Sequence, residues 1–170
     1  ANTILDGITI TGGNANGAYP DDRGGGMYCV SSSPTVTNCT FSGNTGGTGS
    51  GGGGGMYFEY SSPKVTNCSI VNNSATYGGG GMYNYNGSPN VTNCIFDNNI
   101  TNIEGGGTYN AIGSPTYTSC IFIDNDAIEG GGMYNNDGSL AVIDCTFNSN
   151  EARDNGGGIA NDSGPLSVTN

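Results

Sequence analysis

The 170-residue chain is predicted to be all-β, a parallel β-helix wound as a single-stranded solenoid of about six turns with ~26 residues per turn. Three markers predict it: a glycine run, a cysteine and an F-x-x-N element all recur at one step. The residue after each glycine run falls at Met27, Met56, Met82, Thr108, Met133 and Ile159, with spacings of 29, 26, 26, 25 and 26. Cys39, Cys68, Cys94, Cys120 and Cys145 step by 29, 26, 26 and 25. Phe41/Asn44, Ile70/Asn73, Phe96/Asn99, Phe122/Asn125 and Phe147/Asn150 keep the same step, as do Val36, Val65, Val91, Tyr117, Val142 and Val168.

Each element follows from local pattern. In "MYN" and "VTNCTF" apolar and polar residues alternate with a period near two, and no window carries the i, i+3, i+4 spacing of an amphipathic helix. Helix is therefore excluded, and each unit reads as two or three short strands. Glycine runs, Asn pairs and Ser-Pro elements at Pro34, Pro63, Pro89 and Pro115 supply the bends. Such a unit is too short for a propeller blade and fits one turn of a parallel β-helix. Length varies only between the ladder Asn and the next glycine triplet, where the connections from Thr45 onwards hold 8, 5, 5, 4 and 5 residues. The first segment fits the frame when Leu5, Ile8, Ile10 and Gly13 are set against Val36, Cys39, Phe41 and Asn44, which leaves Asn14 to Arg23 as its connection.

Stacking equivalent residues about 4.8 Å apart predicts columns of methionine, valine, cysteine and phenylalanine along a common core. Asn44, Asn73, Asn99, Asn125 and Asn150 recur at a bend, where stacked amides can hydrogen-bond to their copies, and Asn84, Asn110, Asn135 and Asn161 form a second series. The five periodic cysteines are expected to be reduced, buried thiols, because in-register side chains point the same way and do not face each other as a disulfide requires. Cys29 occupies a different position, equivalent to Phe58 and Asn84, and its state is open.

The alternation of "GGGMY" or "GGGIA" with "FSGN", "FDNN", "FIDN" and "FNSN" resembles the right-handed parallel β-helix repeat proteins of bacterial and archaeal cell surfaces. It is particularly similar to the GGA[ILV] and FxxN repeats of polymorphic outer-membrane (Pmp-like) proteins. That resemblance implies a right-handed coil, an extracellular or cell-surface location, and a role as adhesin segment, stalk or passenger domain. One departure is Gly-Gly-Gly in place of Gly-Gly-Ala, with Met-Tyr favoured after it.

Composition restricts function. Three Lys or Arg against 14 Asp or Glu give a formal net charge of −11, which disfavours nucleic acid, and no run of about 18 apolar residues is present to insert into a membrane. Histidine is absent, which removes the commonest general base and most zinc sites. A β-helix polysaccharide lyase or glycoside hydrolase would need carboxylates converging with a basic residue. The available bases, Arg23, Lys64 and Arg153, are scattered over loops and faces. The chain is accordingly expected not to be an enzyme, and it requires no cofactor.

Two residue series remain as candidate sites. Tyr28, Tyr57, Tyr83, Tyr109 and Tyr134 follow the inward residue and are expected to form an outward aromatic stripe able to contact carbohydrate, or equally to stack on itself. Glu104, Glu129 and Asp154 lie at or near the start of successive glycine runs, where aligned carboxylates would form either a solvated acidic edge or a calcium site. Threonine pairs such as Thr35/Thr37 and Thr116/Thr118 recur too irregularly for an ice-binding face.

The chain starts and stops at nearly the same phase of the repeat, so one domain over residues 1–170, belonging to a longer solenoid, is expected. The functional expectation is a structural β-solenoid of a secreted or cell-surface protein. The alternatives are a fibre subunit whose partner is another copy of itself stacked end to end, and a module for surface glycans or a polysaccharide lyase- or hydrolase-like β-helix.

Overall fold

The computed structural model describes residues 3–18, 21–47 and 51–170, so the phase expected for residue 1 and parts of the two longest connections lie outside the described residues. Four parallel sheets run along a solenoid. One turn consists of Met56–Glu59 in sheet D, Lys64–Thr66 in sheet A, Ser69–Val71 in sheet B and Ser74–Ala75 in sheet C. Sheet A has seven strands and the others six, each pairing in parallel with its equivalents in adjacent turns. The register is the one the repeat predicts: Met56 pairs with Met82, Val65 with Val91 and Ile70 with Phe96. Among the described residues five turns are complete, with partial turns on either side, and each complete turn has four strands where two or three were expected. The fourth is the two-residue strand of sheet C, which begins immediately after the ladder asparagine.

The bends are single residues in the left-handed region. Between sheets A and B they are Gly7, Asn38, Asn67, Asn93, Ser119 and Asp144; between B and C they are Gly12, Gly43, Asn72, Asn98, Asp124 and Ser149. Glycine, Asn and Asp tolerate this conformation best, which explains why glycine or a short polar residue stands at each of these two corners. The glycine triplet has a second cause. A Cβ on Gly80 would lie 2.6 Å from the carbonyl oxygens of both Gly106 and Ile100, so the chain crosses its neighbours too closely for any side chain.

Inside the coil, the methionine, valine, cysteine and phenylalanine columns form one core, whose members from Val36 to Val142 are almost wholly buried. Phe96, Phe122 and Phe147 stack with centroids 4.7–4.8 Å apart and nearly parallel rings. The turn containing Thr108 departs from the pattern in a compensated way. Thr108 replaces the methionine and Tyr117 replaces the valine, so the smaller side chain in sheet D accompanies a larger one in sheet A. The Tyr117 hydroxyl donates a 2.9 Å hydrogen bond to Asn110 Oδ1, which gives its polar tip a partner in the core.

The asparagine ladder satisfies the backbone at the buried corner. Nδ2 of Asn73 donates to Asn99 Oδ1 and to the carbonyl of Phe41, both at 3.0 Å, while Asn99 Oδ1 also accepts the backbone N–H of Asn73 at 3.1 Å. Asn44, Asn99 and Asn125 repeat the arrangement with the next turn. Where the first turn has Gly13 in place of Asn, its N–H still donates to Asn44 Oδ1.

Replacing Asn99 by Ala strips partners from the backbone and amide of Asn73, the carbonyl of Ile70 and the amide oxygen of Asn125. The buried N–H of Asn73 is left unsatisfied, at about 1–3 kcal/mol, while Asn73 Nδ2 keeps Phe41 and Asn125 Oδ1 keeps the backbone N–H of residue 99. With the other lost hydrogen bonds at about 1 kcal/mol each, Asn99→Ala should destabilise the fold by roughly 3–4 kcal/mol in urea denaturation. The surface substitution Asn90→Ala should change it by less than about 0.5 kcal/mol.

Candidate functional site

Sheet D presents the residue after each methionine to the outside of the coil, and the tyrosines stand there in register. Four of the five are not exposed: Tyr57, Tyr83, Tyr109 and Tyr134 retain only 2–6% of their surface, and Tyr28 retains 41%. Of the two readings of this stripe the rings adopt the self-stacked one, and they are covered where an open stripe was the other expectation, for two physical reasons. The rings stack on each other, with centroids 4.7 Å apart for Tyr57–Tyr83, 4.6 Å for Tyr83–Tyr109 and 5.5 Å for Tyr109–Tyr134, so their faces are consumed within the ladder. The connections then fold back over them, with Gly52 against Tyr83 and Gly78 against Tyr109. A second apolar cluster results, outside the main core, that also holds Ala111 and Ala160. Burial raises the pKa of each buried tyrosine, so all four stay neutral hydroxyls.

Over the Tyr57–Tyr83 part of this ladder lies an open depression of about 380 Å³, lined by those two rings, by Tyr60, Tyr77 and Tyr85, and by Arg23 and Glu59. Arg23 immediately precedes its glycine run and packs over the Tyr57 ring, 5.1 Å from the centroid. Its guanidinium pairs with Glu59 of the following turn, and the Tyr28 hydroxyl donates a 2.6 Å hydrogen bond to the same carboxylate oxygen. Burial opposes the charge on Arg23, but the hydrogen bond to Tyr28 and the fields of Tyr57 and Glu59 raise its pKa above the ordinary value. Tyr60 and Tyr85 meet edge to face at 5.7 Å and 80°, and Tyr77 meets Tyr109 at 62°. Tyr77 is thus turned out of the plane of the ladder, and Tyr60 and Tyr85 are nearly perpendicular to each other. Sequence reasoning found Tyr57 and Tyr83 but missed the other five residues. The position of Arg23, in the slot that Glu104 and Glu129 occupy later, was the available signal.

The acidic series is brought together only in part. Glu104 and Glu129 pair on adjacent rungs, but the backbone N–H of Gly130 bonds to the carbonyl of Asn155, which places Asn155 third in the column. Asp154 sits one residue earlier, where its N–H bonds to Ile128. Glu129 faces a depression of about 370 Å³ with Tyr134, Asn155 and Asp162, open because Ala160 stands where a tyrosine would continue the ladder. Among the described residues, no group of three or more His, Cys, Asp or Glu side chains converges as metal ligands require. Burial, and then the charge of Glu129, raises the pKa of Glu104. The remaining bases stand apart from this column: Arg153 pairs with Asp126 at 3.2 Å on the surface, and Lys64 is exposed on sheet A.

All six cysteines are free thiols. Each periodic Sγ donates to the carbonyl two residues before it, at 3.0–3.4 Å, and those from Cys68 onwards also reach a carbonyl of the preceding turn at 3.5–3.7 Å. Cys29 pairs in register with Phe58, is half-buried against the main core, and has its pKa raised by burial.

The family model for the right-handed β-helix region matches residues 1–170, and the chain belongs to that family. Comparison with curated proteins and with solved structures finds no match.

Two outcomes follow. In native protein, a soluble disulfide reagent should leave Cys39, Cys68, Cys94 and Cys120 unmodified and reach Cys29 and Cys145 slowly, whereas unfolded protein should titrate six thiols per chain. For Glu104, a raised native pKa means that its contribution to stability is present below the unfolded pKa and lost as pH rises through the native one. Glu104→Gln should therefore raise the melting temperature at neutral pH and leave it nearly unchanged below the carboxylate range.

Proposed function

We propose that the chain is a non-catalytic, rod-forming scaffold of a secreted or cell-surface protein. The observation that carries the reading is the unbroken register of core columns and asparagine ladder through every complete turn. Each rung is bonded to both neighbours, which makes a stiff body that elongates by about 4.8 Å per turn. Such a body sets distance and presents its outer faces. The distribution of charge supports the non-catalytic part: Arg23 is committed to Glu59, Arg153 to Asp126, and Lys64 stands away from the acidic column of sheet D. The family resemblance supports a surface location, and a net charge of −11 suits a solvated rod that does not aggregate.

Antibody should label the chain on intact cells of the source organism, whereas labelling only after permeabilisation overturns the location. Purified protein incubated with pectic, alginate and xylan polysaccharides should release neither unsaturated products nor new reducing ends. Release of either replaces the scaffold reading with a lyase or hydrolase. Light scattering should report a monomer, and filaments in negative stain would assign the end-to-end fibre role instead.

A further inference from the structure

We propose that the tyrosine-rimmed depression over Tyr57 and Tyr83 is a binding site for neutral pyranose sugars. The floor presents ring edges, because the ladder rings lie face to face along the coil axis with only 5° between Tyr57 and Tyr83. Around that floor Tyr77 is rotated out of the ladder and Tyr60 and Tyr85 stand nearly perpendicular to each other, which supplies differently oriented aromatic surfaces on which the C–H face of a sugar packs. At one side the paired Arg23 and Glu59 place a planar donor beside an acceptor, a combination matched by two adjacent hydroxyls of a pyranose. The volume of about 380 Å³ falls within the range of small-ligand sites.

Charge narrows the class. The guanidinium is neutralised by Glu59, and the chain as a whole carries −11, so an anionic polymer meets no net attraction. A cationic ligand would meet a pair whose charges already cancel, and gains no local ion pair to offset its desolvation. An uncharged, hydroxyl-rich ring with one apolar face satisfies both conditions.

Tyr60 singles the site out further. It holds φ at 48°, in the left-handed region, where the neighbouring turns have Ser31 and Asn86. A bulky side chain is strained there, yet 53% of the Tyr60 surface faces solvent, so core packing does not offset the strain. The strained ring is instead held upright against Tyr85 at the edge of the depression.

The chain has no tryptophan and five of its ten tyrosines line the depression, so a change in tyrosine emission signals ligand binding, and calorimetry gives the affinity. Cellohexaose, mannohexaose and xylohexaose serve as neutral probes, with polygalacturonate and a polyproline peptide as comparators. At least one neutral hexasaccharide should bind saturably, and Tyr60→Asn and Glu59→Gln should each weaken it about tenfold, the equivalent of one lost aromatic or hydrogen-bonding contact. Tyr60→Asn should also raise the urea midpoint by relieving the backbone, which separates loss of the site from loss of the fold. The proposal is overturned if none of the three neutral probes binds at millimolar concentration, or if binding survives both substitutions. It is equally overturned if the polyproline peptide or polygalacturonate alone binds. Each of these results leaves the scaffold reading intact, since that reading rests on the register of the turns and is tested separately by cell labelling and turnover assays.

Discussion

Everything in this molecule depends on each turn lying in register over its neighbours, and the buried asparagine corner is where that constraint is strictest. A parallel sheet leaves the backbone at its bends without ladder partners. Here the bend is inside the coil, so water cannot serve. The amide of one asparagine supplies a donor to the turn on one side and an acceptor to the turn on the other, and its own backbone N–H is received in the same way. A slip of one residue would break these bonds together and turn the inward columns outward. Loop length is therefore free to vary only after the corner has been closed and the short strand of sheet C has paired.

The same constraint explains which departures are tolerated. Thr108 and Tyr117 break two columns at once, in one turn, and their volumes offset across the core while the phenol finds Asn110. Phe58 and Cys29 replace members of the Asn84 series as apolar residues facing the main core. Thiols suit the column they occupy because each is small and apolar enough to bury, and each S–H still reaches a carbonyl of its own chain. Within the periodic core, substitution is read by the neighbouring turns before it is read by solvent.

Outside the coil the chemistry is set by the connections. The tyrosine ladder is a second apolar layer that exists only because residues before the glycine run fold across it. Gly52 covers one edge of Tyr83 and Gly78 one edge of Tyr109. At the level of Arg23 the cover is a guanidinium paired with Glu59, which leaves the rim open beside Tyr60 and Tyr85. A rigid rod and a local recognition patch are thus compatible in one chain, since the first uses the inward side chains of sheet D and the second its outward ones.

Sequence alone determined the all-β class, the parallel register, the inward columns, the free thiols and the asparagine ladder. It could do so because equivalence under a period is itself a contact map: residues one period apart must touch. The left-handed corners were legible as polar and glycine positions, and the place of Asn155 in the acidic column was present as the residue directly before the glycine run. What the tertiary structure decided was the fate of outward side chains. Alternation says that Tyr83 points out, but burial there depends on how a connection of variable length folds back, and no period governs that. The meeting of Arg23 with Glu59 belongs to the same class, because it joins an irregular connection of one turn to the strand of the next.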